Sequence, residues 1–315
     1  MNERRARILD LVAASYIRTA RAVPSARIAQ RLSLSSATVR NEFGALAEEG
    51  YLQQSHASSG RIPTVLGFKR YAARFLPPRP LSRRAREHFA SRLERQPGEG
   101  LMEQLANVAA ELSGYAVVVT LPADDHLHAV EIHLSLVTSR TLLAVVVLEN
   151  GLVRELRVPL DPAPGDEVLD VAERNLRQLT LPLREVPHAL RRLARDTDPE
   201  LARTLKAIAS AWPDVTSRRS VHAGLRRLFD EPEARDPDFV RLVVELVEEP
   251  SADVTEPDAV GFALDEAVAR VRSGVALGSG VGSLTLIGPA RMRYGAAVRV
   301  ASGVAAAARD TSANA

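Results

Sequence analysis

The sequence predicts a multi-domain α+β protein with an N-terminal winged helix-turn-helix. Three observations support this prediction. The chain has 315 residues, and a single hydrophobic core stops growing at about 250–300 residues. Residues 1–50 place apolar side chains at helical spacing, whereas the later stretches "YAVVVTL" and "TLLAVVVL" are typical of strands. Residues 1–75 carry twelve Arg or Lys and five acidic residues, a net charge of +7, which leaves −5 for the rest of the chain.

The composition also narrows the function classes. Hydrophobic residues make up 46% of the chain and charged residues 25%, which is typical of a globular protein. The chain has no cysteine, so it holds neither disulfides nor thiolate metal sites, and we expect a cytoplasmic protein. Its apolar runs are shorter than a membrane span, and its N-terminus turns amphipathic at once, so we expect no membrane association and no secretory signal. A basic N-terminus on an acidic body is typical of nucleic-acid-binding proteins, although a solvated arginine-rich surface would have the same charge.

Three helices are predicted in the first 50 residues. Apolar residues in 4–18 recur at helical spacing. Ser25 can cap a short second helix, "SARIAQRL", and Ser35 or Ser36 can cap a third helix that runs to about Glu49. Gly50 is placed to end the third helix in a left-handed conformation.

The third helix divides into an inner and an outer side. Val39, Phe43 and Leu46 fall within one narrow stripe and are predicted to pack inward. Arg40 and Asn41 then point outward, where Arg can bind guanine O6/N7 or a phosphate and Asn can bind adenine N6/N7. The other outward-facing residues are small, and we interpret them as clearance for DNA: Ala37, Gly44 and Ala45. Thr38 lies at the edge of this side.

A hairpin is predicted after the third helix. The stretches "YLQQS" and "RIPTV" can pair around "HASSG", and this forms a wing with Gly60 at the turn. His56, Ser58, Ser59 and Arg61 lie at or beside its tip and are suited to phosphate or minor-groove contacts. A further helix follows, and the proline-rich residues 77–82 predict a domain boundary. Small trihelical modules also serve as protein-interaction domains, which is the alternative interpretation of this region.

The body is predicted to contain an antiparallel sheet and helices. Residues 101–113 have helical spacing, and Gly114 ends that helix. Strands follow near 115–121, 128–137 and 140–160, and Asn150-Gly151 predicts a hairpin turn within the last of these. Residues 165–213 return to helix. Two later strands, near 267–276 and 283–288, are expected to rejoin the same sheet.

These residues resemble the HrcA family of heat-inducible transcription repressors. The resemblance extends to about residue 300 and is carried by "SSATVRN", "HASSGRIP", "GFKRYAARF", "ELSGYAVVV" and "IGPARMRY". It implies a homodimer that represses chaperone operons by binding an inverted repeat in double-stranded DNA. It also implies assistance from the chaperonin GroEL, and a GAF-like α/β domain that carries an inserted helical dimerisation domain.

We therefore predict these regions: a DNA-binding domain at 1–76, a linker at 77–99, GAF-like parts at 100–160 and 219–309, the insertion at 161–218 and a disordered tail at 310–315. The predicted DNA-binding residues are Ser25, Arg27, Ser36, Ala37, Thr38, Arg40, Asn41, Gly44, His56, Ser58, Ser59, Gly60 and Arg61.

Other chemistries have weaker support in the sequence. One stretch contains Asp124, Asp125, His126, His128 and His133, and His126 and His128 share a strand face and could bind a metal, but a polar strand rim is the favoured interpretation. The glycines of "GSGVGS" precede a strand, so a hairpin turn is favoured over a phosphate-binding loop. No nucleophile motif is present. We expect no enzyme activity, no cofactor and no bound metal.

The alternative function is a one-component regulator whose GAF-like domain senses a small ligand. An apolar pocket with convergent polar groups in that domain would be evidence for it.

Overall fold

The computed structural model describes residues 1–54, 60–95, 100–121, 125–216, 219–248, 256, 259–277 and 280–313. The molecule is a multi-domain α+β protein, as predicted, and it divides into two compact units. The first unit contains residues 1–120, 220–276 and 282–315, and the second contains 121–219 and 277–281.

The first unit begins with the head, our name for residues 1–76. Its elements are α1 (Glu3–Thr19), α2 (Ser25–Leu32), α3 (Ser36–Glu48), β1 (Leu52–Gln54), β2 (Arg61–Pro63) and α4 (Val65–Ala73). Strands β1 and β2 pair antiparallel, with Leu52 opposite Pro63. A buried apolar cluster holds the three helices together: Ile8, Leu9, Val12, Val23, Ile28, Ala29, Val39, Phe43, Leu46 and Leu52. The stripe predicted to face inward on α3, Val39, Phe43 and Leu46, belongs to this cluster, whereas Leu9 and Val23 join it without having been predicted.

The rest of the first unit is a five-stranded sheet with helices. Its helices are α5 (Arg83–Arg95), α6 (Leu101–Ser113), α11 (Leu225–Phe229), α12 (Pro237–Glu248) and α13 (Tyr294–Ala313). Its strands are β3 (Ala116–Leu121), β7 (Arg219–Ala223), β8 (Val260–Leu264), β9 (Val268–Leu277) and β10 (Gly280–Pro289), in the order β7-β3-β10-β9-β8. Residues of β3 are buried along the whole strand, which explains its continuous apolar sequence.

The second unit packs four helices on a three-stranded antiparallel sheet. The strands are β4 (Ala129–Thr138), β5 (Thr141–Leu148) and β6 (Val153–Pro159), and the helices are α7 (Asp166–Arg177), α8 (Val186–Leu193), α9 (Pro199–Ala211) and α10 (Pro213–Thr216). Trp212 is fully buried in this core, and its indole N–H donates to the Leu183 carbonyl at 3.0 Å. Gly151 has φ +80 in the β5–β6 turn, so the Asn-Gly hairpin signal was correct.

Four sequence predictions about the body need correction. Strands β4–β6 form a sheet of their own and do not join β3, because their buried face packs on α7–α10. The second unit thus starts near residue 121 instead of 161, and it is not purely helical. The predicted linker 77–99 contains α5, whose Arg92 pairs with Glu111 of α6 at 3.1 Å. Helix α13 continues to Ala313, past the predicted start of the disordered tail at 310.

Candidate nucleic-acid interface

Helix α3 is held firmly at both ends and along its inner side. The Ser35 hydroxyl accepts from the Thr38 N–H at 3.0 Å and caps the first turn. At the other end Gly50 has φ +78, and the Tyr51 N–H donates to the Leu46 carbonyl at 2.8 Å, which satisfies a carbonyl of the last turn. The orientation of α3 is therefore set by packing and capping within the head.

An ion-pair network also fastens α3 to α1. The Arg5 guanidinium contacts Glu42 at 2.8 Å and Glu49 at 2.5 Å. Its hydrogen bonds to Glu42 and then Glu49 raise the pKa of Arg5 above its ordinary value. Glu42 of α3 and Glu49, which directly follows this helix, thus neutralise a basic residue of α1.

The outer side of α3 has no such partners. Ala37, Arg40 and Asn41 are exposed. The Arg40 Nε atom contacts only a carbonyl of its own helix, that of Ser36 at 3.4 Å, and within the described part of the chain no carboxylate pairs with Arg40. A methyl group added at Gly44 would meet no atom within 4 Å, so packing inside the protein does not require a glycine at this position.

The predicted polar residues around the α2–α3 turn bond mainly to one another. The Ser25 and Ser36 hydroxyl groups lie 2.9 Å apart, and those of Ser35 and Thr38 lie 2.8 Å apart. Ser25 is the first residue of α2 and not its N-cap, a position that Pro24 occupies. Arg27 is exposed, and its guanidinium donates to the Ser15 hydroxyl at 3.3 Å.

Strands β1 and β2 form a short hairpin at the position predicted for the wing. The predicted tip lies outside the described residues, and with it His56, Ser58 and Ser59. Arg61 and Val23 exchange two backbone hydrogen bonds, of 2.9 and 3.0 Å, which fix the base of the hairpin against the α1–α2 connection. The Arg61 side chain is half-buried, and its Nε atom is buried without a hydrogen-bond partner in the described chain.

Gly60 does not suit the DNA contact that we predicted for it. It is buried, and a Cβ atom there would lie 2.9 Å from the carbonyl carbon and the Cβ of Ala22. The glycine is therefore needed because the α1–α2 connection passes directly beside it. The sequence missed this reason because Ala22 lies 38 residues earlier in the chain.

A second side of the head packs against the C-terminal part of the same unit, a contact that the helical and strand patterns of the sequence do not predict. Tyr294 of α13 is fully buried, with its ring 6.2 Å from that of Phe68 and 6.5 Å from that of Tyr71. Burial raises the pKa of Tyr294, and its hydroxyl donates to the Ala290 carbonyl at 2.5 Å. The neighbouring Arg291 binds Glu231 and Glu233. Only the motif "IGPARMRY" marked this segment in the sequence.

The histidines of the stretch 124–133 each contact a carboxylate. His126 contacts Asp125 at 3.6 Å, His128 contacts Glu149 at 3.3 Å and His133 contacts Glu131 at 3.6 Å. Asp124 lies outside the described residues. The part of the chain that the structure describes contains no group of three or more His, Cys, Asp or Glu side chains placed to hold a metal ion. Among the described helices, none has the length and apolar character needed to cross a membrane.

Comparison with known proteins gives consistent matches. The model of the HrcA protein C-terminal domain matches residues 99–298. The heat-inducible transcription repressor HrcA of Carboxydothermus hydrogenoformans is 29% identical, over 93% of each chain. The protein of the same name from Synechococcus elongatus is 27% identical, over 95% of this chain and 94% of its own. A crystal structure of a hypothetical protein, 20% identical, matches with a TM-score of 0.67 over 100% of this chain and 99% of its own, which shows a shared fold.

These matches define the class as transcription repressors and not enzymes. The chain belongs to the HrcA family.

Proposed function

We propose that this protein is a sequence-specific DNA-binding repressor of heat-shock operons. It binds an inverted-repeat operator as a homodimer and leaves it on heat stress. The observation that carries the proposal is the outer side of α3. Arg40 and Asn41 are exposed there, no carboxylate of the described residues pairs with them, and Gly44 leaves open space. Such a surface on a rigidly seated second helix of a helix-turn-helix fits the major groove.

Each residue of this surface has a definite chemical task in the proposal. Arg40 donates to guanine O6/N7 or to a phosphate, and Asn41 bonds adenine N6/N7. Gly44 allows the helix backbone to approach the DNA closely. Arg61, which is only partly buried at the base of the hairpin, contacts the phosphate backbone and contributes affinity more than sequence preference.

The proposed homodimer places two such heads on the two half-sites of the operator. Once one head is bound, the second contact becomes effectively intramolecular, which raises overall affinity. The resemblance assigns dimerisation to the insertion. In support, the three-stranded sheet has large apolar side chains that a partner copy would cover, since Val130, Val137 and Val153 are 63%, 60% and 53% exposed. The resemblance also implies GroEL as the partner that adjusts repressor activity with temperature.

Genome-wide mapping of the DNA bound by this protein in its own cells tests the proposal. We expect an inverted repeat ahead of chaperone genes, with bound DNA released after a heat pulse. Fluorescence anisotropy with that duplex and a scrambled duplex of equal length then measures the preference directly. Scattered binding sites, or equal affinity for the two duplexes, would contradict the proposal.

A further inference from the structure

We propose that Arg291 is a positioning residue for operator binding, since it fixes the direction in which the head leaves the sheet of the first unit. This inference rests on the proposed function and adds a mechanism to it. In a dimer that reads two half-sites, the direction of each head determines the spacing at which both can bind.

The Arg291 guanidinium joins three segments that are distant in sequence. It lies in the turn between β10 and α13, and its Nε and Nη2 atoms hold the Glu233 carboxylate at 2.6 and 2.8 Å. The Nη2 atom also donates to Glu231 at 2.6 Å, and the Nη1 atom donates to the carbonyl of Ile17 at 3.5 Å. The side chain is 13% exposed, so these contacts are mostly shielded from water.

The contact with Ile17 connects this arginine to the head. Ile17 is in the last turn of α1, where helix carbonyls have no partner within the helix and a cation is favourable. Glu231 and Glu233 belong to the turn before α12 and hold the arginine from the other side. The bidentate geometry of an arginine–carboxylate pair fixes orientation as well as distance.

Apolar contacts beside Arg291 already pack the head against α13. The Tyr16 ring lies 6.0 Å from that of Phe68, which in turn contacts Tyr294. The absence of a side chain at Gly295 leaves room for the ring of Phe75, since a Cβ atom at position 295 would lie 2.7 Å from that ring. Apolar contacts are non-directional, whereas a shielded ion pair adds little net stability but requires one geometry. We therefore infer that the aromatic residues hold the head against α13, whereas Arg291 fixes the orientation of the head.

The geometric requirement of an operator makes direction important. Two half-sites lie about one helical turn apart or a multiple of it, roughly 34–36 Å per turn. The gain from tethering disappears when the two heads cannot reach both half-sites together. A variant in which the orientation of the head is no longer fixed should keep its affinity for a single half-site. It should lose the additional affinity that wild type gains by binding both half-sites of the operator.

The experiment compares wild type with Arg291→Met on three kinds of DNA: the mapped inverted repeat, the same duplex with one arm scrambled, and a series of repeats with altered spacers. For Arg291→Met we expect half-site affinity within about twofold of wild type, full-operator affinity lower by at least tenfold, and a flattened dependence on spacer length. Arg291→Lys, which keeps the charge without the bidentate geometry, should be intermediate. Arg235→Met is the matched control, because it removes an exposed arginine from the same turn as Glu233.

Loss of folding is addressed by a second variant. Arg291→Met leaves two carboxylates without their partner, so the triple variant Arg291→Met/Glu231→Gln/Glu233→Gln removes all three charges together. Circular dichroism of both variants reports folding. If the folded variants keep the wild-type ratio of full-site to half-site affinity and the wild-type spacer profile, the inference is wrong. If wild type itself does not prefer the inverted repeat over scrambled DNA, the proposed function fails instead.

Discussion

The head presents two sides that differ in how tightly they are packed. On the outer side of α3, Arg40 and Asn41 are exposed and have no partner from another element among the described residues, and a Cβ atom at Gly44 would meet open space. On the side that contacts α13, Tyr294 is fully buried, and the ring of Phe75 occupies the space in which a side chain at position 295 would lie. Packing within the protein explains the residue types on the side against α13, but it does not explain those on the outer side of α3. The residue types on the outer side of α3 are therefore best explained by a ligand outside the protein.

The largest expected effect concerns the outer side. Arg40→Ala/Asn41→Ala should lower the ratio of operator to scrambled-DNA affinity by about tenfold or more per residue, because each bidentate base contact contributes about 1–3 kcal/mol of discrimination. Folding should be unchanged, since both side chains are exposed. Fluorescence anisotropy with the two duplexes measures the ratio.

The matched control for this pair is Arg31→Ala, an exposed arginine in the last turn of α2. It removes the same charge as Arg40→Ala but should weaken binding to both duplexes alike. An unchanged ratio in the double variant would remove Arg40 and Asn41 from the base-reading surface.

Two helical glycines of the head give a direct comparison of packing. A Cβ atom at Gly67 in α4 would clash with the carbonyl oxygen of Tyr51, so Gly67→Ala should destabilise the protein by about 1–3 kcal/mol. Gly44→Ala has no such obstacle and should stabilise it by up to about 1 kcal/mol, the usual gain for replacing glycine within a helix. Thermal midpoints from circular dichroism should move in opposite directions.

Gly44→Leu extends this comparison to DNA. We expect it to fold at least as well as wild type and to lose operator affinity, because the larger side chain occupies the space left for the duplex. Gly44→Leu with unchanged DNA affinity would show that α3 does not approach DNA at this turn.

A smaller effect is expected at the base of the hairpin. Arg61→Ala should weaken binding to operator and scrambled DNA equally, and it should reduce the slope of log affinity against log salt by about 0.9, the value for one lost phosphate contact. Anisotropy titrations at several salt concentrations measure the slope. A changed operator preference with an unchanged slope would instead indicate a base contact.

Local signals in the sequence predicted the local features of the fold. The stripe of Val39, Phe43 and Leu46 and the stop at Gly50 depend on neighbouring residues alone, and both were correct. The features that were missed depend on residues far apart in the chain. Gly60 is fixed by Ala22, and Arg291 binds a carbonyl 274 residues earlier. Strand β8 is short and contains a glycine, and it pairs with β9, which follows it in the chain.

The smallest expected effect lies on the side of the head around α4. Asp10 contacts Arg74 at 2.9 Å, yet its pKa is raised, because burial outweighs the opposing charges of Arg74 and Arg70. A raised carboxyl pKa means that the folded state binds the proton more tightly than the unfolded state, so the ionised form costs stability above the ordinary pKa of 3.8.

Asp10→Asn should therefore raise the thermal midpoint at pH 7, by an amount that corresponds to less than about 1 kcal/mol. The difference from wild type should shrink as the pH falls and the carboxyl group takes up its proton. Arg74→Met, which removes the opposing charge, should have the reverse effect at pH 7. If Asp10→Asn instead lowers the midpoint at pH 7, the ion pair outweighs burial, and this side of the head is stabilised by charge as well as by apolar packing.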